Sequence, residues 1–313
     1  MIVTVTMNPA IDKTVEIDKL LPGNLNRIKK VEFDAGGKGI NVSKTVHELG
    51  GESIATGFLG GNAGTVIHKV LQEKKIRTDF IWVEGETRTN TKVFEENGMV
   101  TELNEPGPVV MDRQIDGLME KLDGYAKEDT LFVLSGSIPN GVDKNIYQKI
   151  IRLVHRKNAK VLLDADGELF FQALQAVPDM IKPNRAELEE YAGIDYRAPE
   201  ETLLEIARGL LKKGITAAAV SMGKRGAMFL KENYQVRCPG LSVKAHSTVG
   251  AGDAMVAAMA YAWDKGLDDE ETVRTCIAAS AGAVTTVGTK PPTKELVETL
   301  KSQVIIEALE RET

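Results

Sequence analysis

The stretch STVGAGDAMVAA, residues 247–258, places a Gly-Ala-Gly turn directly before an apolar helix of small residues. Because glycine has no Cβ, such a turn lets backbone N–H groups converge on a ligand outside the chain. The start of the helix adds unpaired N–H groups and the positive end of a dipole, which favour an anion such as phosphate. Asp253 stands where an N-cap is expected. The residues alone leave two interpretations open: a carboxylate beside an anion site, or an ordinary cap of a buried helix.

The composition is typical of a soluble globular protein, with 42% hydrophobic and 27% charged residues among 313. A formal net charge of −6 disfavours general binding to nucleic acid or to anionic membranes. The two cysteines and four histidines have no metal-ligand spacing, and reduced thiols fit a cytoplasmic location. The opening residues, MIVTVTMNPAID, do not have the basic start of a signal peptide, and no apolar run approaches the ~18 residues of a membrane span.

Strands and helices are predicted to alternate along most of the chain. The predicted strands are 2–7, 53–58, 130–135, 159–164, 179–182 and 216–221. The predicted helices follow the loop at 34–39 and then cover 64–75, 112–124, 143–157, 185–192, 199–213, 253–265 and 270–287. This alternation indicates an α/β fold with a mostly parallel sheet and helices on both faces.

Two segments interrupt this order with period-2 alternation, which is typical of half-exposed strands. The first surrounds a Pro22-Gly23-Asn24 turn, and the second folds back at Asn97-Gly98, a strong hairpin signal. We expect them to form one small sheet, a lid covering about residues 12–34 and 87–105. Since the sequence has no linker, repeat or low-complexity tract, residues 1–313 are predicted to be a single domain with this lid.

Polar or glycine-rich loops follow five of the predicted strands, at 8–12, 135–139, 164–167, 182–187 and 221–226. Ligands of open parallel α/β sheets bind at the carboxyl ends of strands. Each loop taken singly could be ordinary turn chemistry. Five such loops on one edge are hard to explain as turns alone, so this edge is the predicted ligand site.

The loop DAGGKGIN at 34–41 holds three glycines around Lys38 just before a helix, and so could wrap a small polar ligand. It does not have the full spacing of a phosphate-binding P-loop, and neither does Gly223-Lys224-Arg225. The turn at 250–252 does not have the third glycine of a dinucleotide fingerprint. P-loop kinases and nicotinamide enzymes are therefore disfavoured.

Basic residues of the lid suggest a phosphate already present on the substrate. Arg88, Asn90 and Lys92 share one face of a predicted strand, and Arg27 lies in the other lid segment. Such a stripe is either solvated charge or a clamp for phosphate. Asn184 and its neighbour Glu187 are either a helix-capping pair or ligands that hold Mg²⁺ through water.

Three motifs resemble the signatures of the ribokinase-like, or pfkB, carbohydrate kinases, and the resemblance extends over essentially the whole chain. GGKGINVS at 36–43 is similar to the first signature, TVGAGD at 248–253 to the second, and KPNRAE at 182–187 to the N-x-x-E motif. TMNPAID at 6–12, TRTNTK at 87–92 and SGSIP at 135–139 resemble the phosphosugar branch, which contains the 1-phosphofructokinases and the tagatose-6-phosphate kinases.

The resemblance implies a ribokinase-like α/β core with a β-sheet lid that often serves for dimerisation, so a homodimer through the lid is expected. It implies ATP as phosphoryl donor, Mg²⁺ as cofactor and Asp253 as catalytic base. Gly250, Ala251 and Gly252 would form the anion hole. The partners are then small molecules, a sugar phosphate and ATP, with no nucleic acid and no membrane.

The resemblance also distributes the binding residues. The sugar phosphate would contact Asp12, Arg27, Gly37, Lys38, Asn41, Arg88, Lys92 and Ser137. The nucleotide would contact Lys182, Asn184, Ser221, Gly223, Lys224, Gly226 and Gly252, and Mg²⁺ would be held by Asn184 and Glu187 through water.

The expected reaction is ATP-dependent phosphorylation of fructose 1-phosphate to fructose 1,6-bisphosphate. Lys92, two residues after Asn90, resembles the fructose 1-phosphate branch more than the tagatose branch. Phosphorylation of tagatose 6-phosphate to tagatose 1,6-bisphosphate is the nearest alternative. A non-catalytic sugar-phosphate sensor is more remote, since Asp253 and its glycine turn are both present.

Overall fold

The structure, a computed structural model, describes residues 1–309. Its strands are β1 (Ile2–Thr6), β2 (Ala10–Ile17), β3 (Lys30–Gly36), β4 (Ser53–Gly60), β5 (Arg77–Thr78), β6 (Ile81–Val83), β7 (Arg88–Glu95), β8 (Val100–Asn104), β9 (Leu131–Ser135), β10 (Lys160–Asp164), β11 (Met180–Ile181), β12 (Ala217–Ser221), β13 (Ala227–Lys231), β14 (Gln235–Cys238) and β15 (Glu307–Ala308). Its helices are α1 (Lys38–Glu48), α2 (Gly61–Glu73), α3 (Asp112–Tyr125), α4 (Ile146–His155), α5 (Gly167–Leu174), α6 (Arg185–Tyr191), α7 (Glu200–Lys212), α8 (Ala251–Lys265), α9 (Asp269–Ala283) and α10 (Lys294–Lys301).

A large twisted sheet forms the centre, with strand order β15-β14-β13-β12-β11-β10-β9-β1-β4-β5, and β6 pairs with β4. In this spatial order, all neighbouring strands between β12 and β5 are parallel. Strand β1 pairs with β4 on one side and with β9 on the other. Its central strands read as continuous apolar runs because both faces are covered. The predicted α/β class and mostly parallel sheet are confirmed.

The antiparallel edge β13–β15 was not predicted. Only residues 232–234 separate β13 from β14, and so short a connection permits only an antiparallel return. No strand was predicted beyond the glycine turn that precedes β13.

Helices cover both faces of the large sheet, as predicted. One face buries α3 to α7, and the other buries α1, α8, α9 and α10. The small apolar residues of α8 are buried along most of its length because the helix lies between the sheet and its neighbours α1 and α9. This placement holds the first turn of α8 at the carboxyl edge of the central strands.

Several predicted boundaries were wrong. α8 begins at Ala251 instead of 253, and α9 ends at Ala283 instead of 287. The eight-residue helices α5 and α10 were missed because each spans little more than two turns, which is shorter than the window in which a helical period can be recognised.

The small sheet has the order β3-β2-β7-β8 and corresponds to the predicted lid segments 12–34 and 87–105. Strands β7 and β8 lie within the predicted second segment. The first segment begins earlier and ends later than expected, since β2 starts at Ala10 and β3 runs to Gly36. The predicted loop at 34–39 is therefore wrong for residues 34–36, which pair with β2, and α1 begins at Lys38.

Among the described residues, every helix falls short of the length and apolar character that a membrane span needs.

Candidate active site

The five predicted ligand loops begin at the ends of β1, β9, β10, β11 and β12, which are adjacent strands of one parallel run. The first prediction, 8–12, is wrong for residues 10–12, which belong to β2. Their carboxyl ends therefore meet along one edge, the position where open α/β sheets bind ligands. The small sheet lies against this edge, because Arg88 of β7 donates hydrogen bonds to the Asn8 carbonyl after β1 and to Ser137 Oγ after β9.

The glycine turn before α8 differs from expectation in one respect. Gly250 is the N-cap, with a left-handed φ of 83°, and Asp253 is the third helical residue. The sequence placed Asp253 at the N-cap position, and that placement is wrong by three residues. The first helical bond runs from Ala254 N to Gly250 O, so the backbone N–H groups of residues 251–253 have no acceptor within the helix. The turn thus presents free donors beside the Asp253 carboxylate.

Asp253 receives a hydrogen bond from Asn41 Nδ2, 2.8 Å from its Oδ2. Burial, and then the negative charge of Asp164, raise the pKa of Asp253 to about 6, although Lys38, the Asn41 hydrogen bond and Lys182 act in the opposite direction. Asn41 was predicted to touch the sugar phosphate, and the structure turns its amide nitrogen to Asp253. The carboxylate is ionised at neutral pH and is more basic than an exposed aspartate.

Asp164, at the end of β10, is a site residue that sequence reasoning missed. Its Oδ2 lies 3.4 Å from Lys38 Nζ and its Oδ1 lies 3.1 Å from Lys182 Nζ. Burial alone would raise the pKa of Asp164, but the two lysines outweigh it and lower that pKa. The loop at 164–167 had been noted as polar and strand-terminal, and that signal could have identified this carboxylate.

A cavity of about 350 Å³ opens between the small sheet and the strand ends. It is lined by Thr6, Asn8, Lys38, Arg88, Asn90, Asn104, Ser135, Gly136, Ser137 and Asp166. The predicted sugar-phosphate residues Lys38, Arg88 and Ser137 thus meet in one space. Asn90, which the sequence placed on one strand face with Arg88, also lines the cavity. Asn104, which faces Asn90 across β7 and β8, is a lining residue that was not predicted.

Two predicted sugar-phosphate residues contact each other instead of this cavity. Lys92 Nζ lies 3.6 Å from Asp12 Oδ1, and both side chains are buried. A Cβ on Gly36 would collide with the Asp12 carboxylate, so that glycine makes room for the pair. The parallel pairing of β2 with β7 places Asp12 beside Asn90 and Lys92 beside Thr14, so the two side chains meet diagonally on one face of the sheet. Neither Asp12 nor Lys92 lines the cavity.

Two more predicted residues also lie outside the cavity lining. Arg27 is exposed in the loop between β2 and β3. Gly37, with φ of 105°, packs where a Cβ would press on Thr6 and Pro9, so its backbone conformation requires glycine. Sequence spacing could not show that the chain turns Arg27 away here.

Lys44 of α1 is a second residue that sequence reasoning missed. Its buried Nζ donates a hydrogen bond of 2.6 Å to the Ala35 carbonyl at the end of β3. Burial lowers the pKa of Lys44 to about 8, while Asp34, Asp12 and Asp253 oppose that shift. This amine links the helix that carries Lys38 to the end of the small sheet.

The predicted nucleotide residues gather at the ends of β11 and β12. Asn184 and Ser221 are paired by an isolated parallel β-bridge. Lys182 faces the first turn of α8, because a Cβ on Gly252 would lie 3.5 Å from Lys182 Nζ. Lys224 is exposed in a short 3₁₀ turn, Gly223–Arg225. A Cβ on Gly226 would collide with the backbone at Cys238, which explains that glycine by packing.

Asn184 and Glu187 form a capping box at the start of α6. Asn184 Oδ1 accepts a hydrogen bond from Glu187 N at 3.0 Å, and the Glu187 carboxylate accepts from Asn184 N at 2.8 Å and from Asn184 Nδ2 at 2.7 Å. The capping interpretation is thus observed. Within residues 1–309, no group of three or more His, Cys, Asp or Glu side chains is arranged to bind a metal ion directly.

Comparisons with known proteins identify the family of the chain. The sequence model of the pfkB family of carbohydrate kinases matches residues 2–296. A 1-phosphofructokinase of Vibrio cholerae is 33% identical over 308 residues, covering 98% of this chain and 97% of the relative. A 1-phosphofructokinase of Bacillus subtilis is 34% identical over 311 residues, covering 99% and 100%. The crystal structure of phosphofructokinase-2 from Escherichia coli with substrates and products aligns with a TM-score of 0.92 and 26% identity, covering 96% and 98%.

Proposed function

Because this chain belongs to the pfkB family of carbohydrate kinases and is a sugar-phosphate kinase, we propose that its reaction is the transfer of the γ-phosphoryl group of ATP to fructose 1-phosphate, giving fructose 1,6-bisphosphate. One observation carries the proposal: Lys38 lines a basic cavity together with Arg88, and the charge of the same Lys38 acts on the Asp253 carboxylate in the first turn of α8. The names of the curated relatives from Vibrio cholerae and Bacillus subtilis support the choice of substrate.

The phosphate that the substrate already carries binds in the cavity. Arg88 is held there by the Asn8 and Glu105 carbonyls, which accept from Nη2 at 3.0 Å and from Nη1 at 3.2 Å. A guanidinium held in this way recognises phosphate with directed, charge-assisted hydrogen bonds. Lys38 adds a second positive charge, and the Ser137 hydroxyl adds a hydrogen bond.

The hydroxyl to be phosphorylated lies against Asp253. Asp253 orients this hydroxyl and accepts its proton, a contribution that is typically ~10²–10⁴-fold. The N–H groups at the start of α8 stabilise the negative charge of the phosphoryl group during transfer. Lys182, facing Gly252, adds positive charge on the nucleotide side.

ATP lies along the ends of β11 and β12, near Lys182, Asn184 and the turn Ser221–Gly226. Both Glu187 oxygens already accept hydrogen bonds from Asn184, so direct coordination of a metal would break the capping box. A hydrated Mg²⁺ fits these residues, since Mg²⁺ usually keeps several waters. When bound, the ion neutralises charge on the phosphate oxygens.

The chain acts as one domain in which the small sheet is the lid. Closing the lid over the cavity excludes water, so that ATP is not hydrolysed instead. The outer face of the lid supports a homodimer, because Phe33 is 64% exposed and Leu103 is 59% exposed there. Cys238 and Cys276 are buried free thiols, in keeping with a cytoplasmic protein.

Measuring ADP release tests the proposal. The purified chain is assayed with Mg²⁺ and ATP against fructose 1-phosphate, fructose 6-phosphate and tagatose 6-phosphate. We expect the highest kcat/KM with fructose 1-phosphate. A higher kcat/KM with tagatose 6-phosphate, or no release dependent on any sugar phosphate, would contradict the proposal. In the sequence, Lys92 was the residue that favoured fructose 1-phosphate over tagatose 6-phosphate. Because Lys92 pairs with Asp12 and does not line the cavity, tagatose 6-phosphate is included in the assay.

A further inference from the structure

Asp164 lies between the two halves of the proposed transfer site. Its side chain is 2% exposed, at the end of the middle one of the five strands whose loops form the ligand edge. Lys38 approaches from α1 on the side of the sugar-phosphate cavity, and Lys182 approaches from the end of β11 on the nucleotide side. Ser135 Oγ donates a further hydrogen bond to Asp164 Oδ2 at 3.3 Å.

We propose that Asp164 is a positioning residue that holds Lys38 and Lys182 on either side of Asp253, so that both ammonium groups meet the phosphoryl group during transfer. The inference rests on the proposed function. Asp164 itself contacts neither substrate in this assignment, and it acts through the two lysines.

The charges favour this role. One carboxylate between two ammonium groups leaves a net positive charge, and this charge lies beside the turn where phosphoryl charge moves. Lys182 is almost fully buried and faces Gly252 of that turn, so its position depends on its partner. Without Asp164, two like charges would repel each other in a poorly solvated space, and Lys38 would be free to move into the open cavity.

The same carboxylate affects the base. The charged and polar groups that face Asp253 are Asp164 from β10, Lys182 after β11, and Lys38, Asn41 and Lys44 from α1. Among these, Asp164 carries the negative charge that raises the pKa of Asp253. Removing that charge therefore lowers the pKa of Asp253, and a merely structural role would not produce this change.

The test is Asp164→Asn, which keeps the size of the side chain and removes its charge. We expect kcat for fructose 1-phosphate to fall by roughly 10²-fold, the scale of losing one preorganised electrostatic group. We also expect the acid limb of kcat to move to lower pH. Unchanged kcat would overturn the inference, and so would a fall in kcat with the acid limb unmoved.

Asp179→Asn is the matched control, because Asp179 is also a carboxylate between two basic side chains, although it is only partly buried. It lies 2.9 Å from His155 Nε2 and 3.0 Å from Lys160 Nζ, and it accepts a hydrogen bond from Val161 N at the opposite end of β10. We expect this variant to lose stability while kcat and its acid limb stay at the wild-type values. A fall in kcat equal to that of Asp164→Asn would mean that any such ion pair has the same effect, which would overturn the inference.

Asp164→Glu keeps the inference testable if the Asn variant does not fold. This change keeps the charge and moves the carboxylate by one methylene. We expect kcat to fall while the acid limb remains near that of the wild type. Wild-type kcat in this variant would show that the position of the carboxylate does not matter.

A titration of the ligand-free protein separates this inference from the proposed function. NMR of carboxyl carbons, assigned with Asp253→Asn, gives the pKa of Asp253 in the wild type and in Asp164→Asn. A wild type that does not turn over fructose 1-phosphate refutes the proposed function alone. An unchanged pKa of Asp253 in the variant refutes the inference alone.

Discussion

At the scale of single residues, the site depends on a balance of opposing effects on one carboxylate. Burial and Asp164 raise the pKa of Asp253 to about 6, and nearby positive charge limits that rise. An effective general base has a pKa close to the working pH while remaining mostly ionised. Asp253 meets both conditions, and Asn41 fixes the orientation of its carboxylate.

Asp253→Asn should leave the binding of ATP and sugar phosphate intact and lower kcat by ~10²–10⁴-fold, since the variant cannot accept the proton. In the wild type, kcat/KM should fall as the pH drops through about 6, because protonation of the ligand-free enzyme removes the base. Calorimetric binding and a pH profile of kcat/KM check the two statements. Near-wild-type turnover in the variant would rule out Asp253 as the base.

Arg88→Ala should raise KM for the sugar phosphate much more than KM for ATP, by roughly 10–100-fold, because a charge-assisted hydrogen-bonding group leaves the cavity. Steady-state kinetics with each substrate varied in turn measures both constants. Arg113→Ala, which removes an exposed arginine paired with Glu84, is the control and should change neither. An equal rise in both constants would mean that Arg88 does not clamp the phosphate.

At the scale of elements, the helix start creates the anion site. Gly250 adopts a left-handed conformation, so the chain enters α8 at once and its first N–H groups face the strand ends. Gly226 has a different role, because its missing Cβ permits close contact with the backbone near Cys238. Glycines that look alike in sequence therefore serve different purposes, one presenting donors to a ligand and the other allowing two segments to pack.

Gly250→Ala should destabilise the fold by roughly 1–2 kcal/mol, the cost of a left-handed conformation with a Cβ. It should also lower kcat, because relief of that strain moves the donors at residues 251–253. Chemical denaturation and kinetics measure the two effects. Gly209→Ala in α7 is the control, since its Cβ would meet nothing within 4 Å, and it should not destabilise the protein. Unaltered kcat in Gly250→Ala would separate the turn from catalysis.

Long elements were predictable from the sequence, and the connections within the site were not. The alternating strands and helices predicted the parallel sheet, because hydrophobic period and glycine turns are local signals. The pairing of Asp12 with Lys92 and the grouping of Lys38, Asp164 and Lys182 depend on strand order and register. No local pattern encodes which strands become neighbours, so the roles of Asp164 and Lys44 became visible only in the structure.

At the scale of the whole molecule, the small sheet has two different faces. Its inner face carries Asn90 and Asn104 into the cavity, and its outer face exposes Val31, Phe33 and Leu103. A sheet with one polar ligand face and one exposed apolar face has a surface available for a second copy of the chain. Dimerisation through the outer face would then stiffen the lid.

Phe33→Glu combined with Leu103→Glu should shift a dimer to monomers, because two charges would be buried at the interface. Sedimentation velocity over a range of concentrations measures the change. Val66→Glu on α2 replaces another exposed apolar residue, which does not belong to this sheet, and should leave assembly unchanged. A wild type that is monomeric at all concentrations, or a double variant that remains dimeric, would contradict an interface on this face.

Lys44 also has a thermodynamic consequence. Its pKa is about 8 in the folded chain against 10.5 for an ordinary lysine, so between these values the unfolded chain binds a proton that the folded chain has released. Proton linkage then requires the free energy of unfolding to rise with pH across this interval, by at most about 1.4 kcal/mol per pH unit from this group.

Lys44→Met removes the linked proton. The difference in unfolding free energy between wild type and variant, measured in urea from pH 7.5 to 10.5, should therefore move in favour of the wild type as the pH increases, and a constant difference would mean that Lys44 remains charged inside the fold.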